Sequence, residues 1–83
     1  MKYVKATATR INELLQSKGI TEEEFIQKSK LSRETVKRIL SCETNDVYLK
    51  TMIKIVRGLG VSLLEFHDCE LFAMENLDDE RGR

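Results

Sequence analysis

Eighty-three residues with no proline, four glycines and no strand-length apolar alternation fit one small all-α domain with at most a short tail, whose marginal core often gains from dimerisation. No apolar run nears the roughly 20 residues of a membrane span, and the start MKYVKATATR lacks the apolar centre of a signal peptide, so a cytoplasmic chain is expected. Net charge is zero, which alone counts against a nucleic-acid partner; yet residues 1–38 hold nine Lys/Arg against five Glu, and residues 39–83 reverse that balance, so a local basic surface is available.

Residues 1–6 read as a lead-in arm carrying Lys2 and Lys5, lying near a phosphate backbone or simply solvated. Thr7 is a candidate cap for a first helix with Ala8, Ile11, Leu14 and Leu15 inward. Lys18-Gly19 is a stop signal, and Ile20 is placed to staple the next helix. Thr21 and Glu24 form a capping box for a second helix over about 22–29, with Glu22, Glu23 and Glu24 at its positive end and Phe25 and Ile26 in its apolar stripe. Leu31-Ser32 then breaks the pattern. Ser32 can cap a third helix over about 33–41, in which Val36, Ile39 and Leu40 recur at the spacing of one buried face. Its opposite face carries Ser32, Arg33, Glu34, Lys37, Arg38 and Ser41, polar and partly basic. Two short helices broken sharply, the second with such a face, make a helix-turn-helix.

The loop 42–46 offers Thr44 and Asn45 either to phosphates or to a plain turn in which Asn45 or Asp46 caps the next helix. A fourth helix over about 48–58 turns Leu49, Met52, Val56 and Leu59 inward, with Ile53 and Ile55 flanking and Lys50 outside near its start. Ser62 and Glu65 suggest a second capping box, and Val61, Leu63 and Phe66 close the core, with His67 half-buried and its polar edge wet. Cys42 and Cys69 are expected reduced and unpaired. His67 beside Cys69 is too few ligands for a metal site, and no cofactor is indicated. The domain is placed at 1–67 and a short acidic tail at 68–83, frayed from Asp78. In the tail Leu71 and Phe72 either dock on the core or, with Met74, form a homodimer seam.

The strings RINELLQSKGITEEEFIQKSKLSRETVKRIL and LKTMIKIVRGLGVSLLEF resemble the Cro/CI-type helix-turn-helix proteins, the XRE family, and most of all its small single-domain bacterial members. The resemblance implies a compact five-helix lambda-repressor-like DNA-binding domain with the motif at helices two and three. It places Ser32, Arg33, Glu34, Lys37, Arg38 and Ser41 at base-reading positions in the major groove. It places Glu22, Lys28, Lys30, Thr35, Thr44, Asn45 and Lys50 near phosphates. Arg33 can fork onto guanine, and Glu34 can accept from cytosine N4. The chain also departs from the family pattern: Glu22 replaces a phosphate-touching Gln, Ile26 an Ala, and Lys30 and Cys42 stand where Gly is usual. A positive φ at Lys30 costs on the order of 1 kcal/mol.

Sequence-specific binding of double-stranded DNA, most simply by a repressor, is therefore the leading expectation. It requires Arg33, Lys37 and Arg38 to project together, free of their own protein, with Val36 and Ile39 anchoring them from behind. The alternative is a protein-interaction module or antitoxin-like partner that keeps the fold, with partners at Leu71, Phe72 and Met74. An enzyme is not expected: one His, no Gly-rich phosphate loop and no nucleophile–base pair leave catalysis without parts.

Overall fold

Local chemistry sets most helix boundaries in the computed structural model, which describes residues 1–77. The α-helices are α1 (Tyr3–Lys18), α2 (Glu22–Ser29), α3 (Arg33–Leu40), α4 (Leu49–Leu59) and α5 (Leu63–His67), followed by one-turn 3-10 helices at Glu70–Phe72 and Met74–Asn76. Among the described residues there is no strand, and no helix is long and apolar enough to cross a membrane. The Thr21–Glu24 box is complete: the Thr21 hydroxyl accepts from the Glu24 N–H at 3.1 Å, and the Glu24 carboxylate accepts from the Thr21 N–H at 3.1 Å. At Ser62 the hydroxyl half of the expected box forms, with Oγ accepting from the Glu65 N–H at 3.0 Å. The chain leaves α1 through Gly19 in the left-handed region.

The core joins α1, α2, α3, α4 and α5. Ile11, Phe25, Val36, Ile55, Leu59 and Phe66 are almost wholly excluded from solvent. The inward face of α1 includes Ala8, Ile11, Leu14 and Leu15 as the spacing predicts. Close to the end of α4, Gly58 lies against α2: a Cβ at this position would sit 2.8 Å from Ser29 Cβ and 3.0 Å from Ser29 Cα. The bare backbone of Gly58 is what lets α4 seat on α2.

Several expectations are corrected. The lead-in arm is helical from Tyr3, with Lys2 as N-cap, and Thr7 is buried mid-helix rather than capping. The cause is distant in sequence. Tyr3 stacks on His67 at a ring separation of 5.8 Å and touches Phe72 at 5.6 Å, so tertiary packing holds the first turn in place of a cap. In α4 the buried stripe is Met52, Ile55, Val56 and Leu59, itself a complete helical face. Leu49 falls off that face and is exposed, and so is Ile53. Tyr48, rather than Asn45 or Asp46, is the N-cap of α4, without a side-chain bond. Leu63 is at the surface instead of closing the core. His67 is half-buried as expected, and both ring nitrogens have protein partners: Nδ1 meets the Leu63 carbonyl at 2.8 Å and Nε2 meets the Tyr3 hydroxyl at 2.6 Å. A carbonyl only accepts, so Nδ1 donates to it. Burial pushes the Tyr3 phenol above its ordinary value.

The tail docks in part. Phe72 packs against Phe66 and His67, with ring separations of 5.6 and 4.6 Å, and Leu71 is half-buried, whereas Met74 remains 83% exposed. The expected fraying from Asp78 lies outside the described residues. Both cysteines are free thiols. Cys42 follows α3 with φ 62°, the left-handed region that a side chain disfavours. Cys42→Gly is therefore expected to raise stability by about 0.5–1 kcal/mol, relief of the backbone outweighing the added unfolded-state entropy. Urea unfolding checks this through an upward shift of the midpoint at constant m.

Candidate nucleic-acid interface

The turn between α2 and α3 is built from backbone and one buried hydroxyl. Lys30 closes α2 with φ 63°, as its position in the motif requires. Ser29, 1% exposed, donates Oγ to the Ile26 carbonyl at 3.1 Å and accepts from the Leu31 N–H at 3.2 Å. Ser32 then starts α3: its Oγ accepts from the Thr35 N–H at 3.1 Å and donates to Thr35 Oγ1 at 2.8 Å. Val36 and Ile39 are buried and fix the back of α3, so its outer face is held on a rigid support. The anchoring role of Ser29 had no signal in the sequence beyond a small polar residue at the end of an apolar stripe.

Arg33, Lys37 and Arg38 all stand on that outer face with side chains more than half exposed. They are not free, however. Arg33 clasps Glu23 with both terminal nitrogens; its Nη2 lies 2.8 Å from Oε2 and Nη1 pairs with Oε1. Lys37 Nζ lies 3.6 Å from the Glu22 carboxylate, and Arg38 pairs with Glu34 at 2.8 Å one turn earlier in α3. The requirement of cations free of their own protein is thus met in exposure and not in pairing. For Arg33 and Lys37 the reason is the acidic first turn of α2, which lies against α3 across the motif. Exposed ion pairs of this type add little to the stability of the fold, so their effect is on what the cations can meet.

The remaining polar residues of this region divide by what already holds them. Ser41 is the C-cap of α3, its hydroxyl 2.8 Å from both the Lys37 carbonyl and the Glu43 carboxylate. Thr35 is half-buried beside Ser32, and Thr44 donates to the Asp46 carbonyl at 3.0 Å. Lys28, Lys30, Asn45 and Lys50 are exposed. Arg38, Glu43, Thr44 and Tyr48 line an open cleft between α3 and the loop that follows it. Arg10, counted in the basic half, serves the fold instead: Nε donates to the Phe66 carbonyl at 2.8 Å and Nη2 to the Glu65 carbonyl at 3.0 Å, a cation at the C-terminal end of α5. Among the described residues no three His, Cys, Asp or Glu side chains converge as metal ligands would.

The family model of the Cro/C1-type HTH DNA-binding domain matches residues 10–70. The chain belongs to that family. No curated protein and no solved structure matches it. In this Cro/C1-type domain the matched span takes in α2, the turn, α3, α4 and α5, with α1 from Arg10 onward. It is a DNA-binding domain by family, with an all-helical fold to match.

Two carboxyls of the Cro/C1-type motif lie below the usual carboxylate range. The Arg33 guanidinium holds Glu23 down, and the Thr21 backbone N–H and hydroxyl hold Glu24 down. A depressed folded-state value contributes stability that is present above the unfolded value and lost as pH falls through the folded one. Acid should therefore loosen the start of α2 and its clasp on α3 together, beginning near the unperturbed value of 4.5 and continuing below it. Stability measured in urea between about pH 6 and pH 3 checks this. Glu24→Gln should flatten the acid limb while leaving the neutral limb nearly parallel to wild type.

Proposed function

We propose that the protein is a sequence-specific regulator of transcription, most simply a repressor acting in the cytoplasm, that lays α3 in the major groove of double-stranded DNA. The observation carrying this reading is the outer face of α3, with Arg33, Lys37 and Arg38 exposed over buried Val36 and Ile39 within a domain of a DNA-binding family. Arg33, Glu34, Lys37 and Arg38 read base edges, with Ser32 and Ser41 at the two ends of the helix. Lys28, Lys30, Thr35, Thr44, Asn45 and Lys50 set register on phosphates. Glu22 sits at a phosphate-contact position, paired to Lys37, and brings the carboxylate to the backbone with it. A homodimer with a seam at Met74 and the open edges of Leu71 and Phe72 would pair two half-sites.

Arg33→Ala is expected to weaken binding to a selected duplex by about 1–3 kcal/mol and to relax preference at one base pair. Titration against single-base variants of that duplex measures both. Equal weakening on every duplex would assign Arg33 to phosphate instead.

A second reading is favoured by the pairing itself. A face whose three cations are each matched by a carboxylate suits a domain that has turned from DNA to a protein partner, with Leu64 and Met74 exposed elsewhere. Selection of bound duplexes from a random pool separates the two: a chain that enriches no motif favours the protein partner.

A further inference from the structure

We propose that Glu22 and Glu23 are specificity-determining residues, positioning groups that hold Lys37 and Arg33 against sequence-independent binding while leaving Arg33 able to read a base. This rests on the DNA-binding reading above. Both pairs cross from the first turn of α2 to α3, so they tie the outer face to its own scaffold, whereas Arg38 and Glu34 pair within α3 alone.

Sequence-independent binding is almost entirely attraction between cations and phosphates. For Lys37 to take a phosphate it must leave Glu22, and the abandoned carboxylate then stands a few ångströms from the phosphate it repels. The same holds for Arg33 and Glu23. Base reading is penalised less. A guanidinium carries five N–H donors, and the two-point clasp on Glu23 occupies one hydrogen on each terminal nitrogen. Three N–H groups remain to approach guanine O6 and N7, on an arm already fixed in direction. The carboxylates thus lower affinity for wrong sequences more than for the right one, a use of repulsion to obtain specificity.

The test compares the full chain with Glu22→Gln/Glu23→Gln and with a charge-matched control, Glu13→Gln/Glu75→Gln, whose residues lie in α1 and the second 3-10 helix. Each protein is titrated against a random-sequence 20-base-pair duplex, and against the duplex that wild type selects from a random pool. Glu13, Glu23 and Glu75 are exposed and Glu22 is half-buried, and helical circular dichroism confirms folding. The α2 variant should bind random duplex about tenfold tighter or more, with a salt dependence steeper by about one to two in log–log slope, one per cation released. Its gain on the selected duplex should be clearly smaller, so discrimination falls. A merely structural role would weaken both duplexes together. No gain on random duplex, an equal gain on both, or an equal gain by the control overturns the role of the two glutamates. A wild-type chain that selects no motif overturns the DNA-binding reading and this inference with it.

Discussion

Phe66→Ala is expected to destabilise the domain by about 3–5 kcal/mol, out of a total that for small domains lies between about 5 and 15. Phe66 is fully buried, and it is the one core side chain that α5 supplies. Its ring meets His67 at 5.0 Å and Phe72 at 5.6 Å, and through them the start of α1, where Tyr3 stacks on His67 and bonds to it. Truncation therefore leaves a cavity and also removes the seat of the docked tail. The Arg10 bonds to the Glu65 and Phe66 carbonyls use the backbone and so survive the substitution in principle. They hold α5 only while its ring holds it too. Urea unfolding should show the midpoint falling steeply, with early loss of α1 N-terminal protection in hydrogen exchange. Leu64→Ala on the same short helix is the comparison: that side chain is 81% exposed, and its loss should stay within about 0.5 kcal/mol. A Phe66→Ala loss below about 1 kcal/mol would contradict the core described above.

Gly58→Ala should destabilise by about 1–3 kcal/mol, and Gly58→Val by the upper end of that range or more. Ordinarily alanine favours a helix interior over glycine by about 1 kcal/mol. Here the sign reverses, because the new Cβ would meet the Cβ, Cα and N of Ser29 at 2.8–3.0 Å. Those atoms cannot swing aside as a side-chain tip can. Ser29 is also the residue whose hydroxyl ties Ile26 to Leu31 at the turn of the motif. Displacing it should shift α3 relative to α2, so DNA binding should fall by more than the unfolded fraction accounts for. Thermal unfolding and binding on the same samples check both parts. A stabilised Gly58→Ala would show that the two helices do not meet there.

Local signals were legible in the sequence. The Thr21–Glu24 box, the Ser32 cap, the Gly19 stop and the spacing of Ile11, Leu15, Val36 and Ile39 each depend on neighbours within a few residues, and each appears in the structure. What was not legible depends on contacts distant in sequence. Tyr3 is helical because of His67 and Phe72, some 64 and 69 positions away, which no cap at Thr7 reports. The close approach of Gly58 to Ser29 has no signal in the residues beside it. Arg10 counts toward a basic half until the α5 carbonyls claim it. The outer face of α3 was foreseen as a set of exposed residues. Of the pairs its cations make, that of Arg38 with Glu34 has a local basis, one turn apart on one helix, whereas the Glu22 and Glu23 pairs need the angle between two helices.

That pairing makes charge the decisive variable for function. A domain with zero net charge and a neutralised outer face on α3 has little to hold arbitrary DNA, and on the proposed reading its binding draws on fitted contacts more than on bulk attraction. Mapping amide chemical shifts of the labelled full chain during titration with a selected duplex tests this most directly, because it reports which face meets DNA. The account predicts the largest shifts at residues 32–41 and in the loop 42–46, with the α5 face nearly unmoved. Shifts gathered on Leu63, Leu64 and the 70–77 segment, or no shifts at low salt, would contradict it.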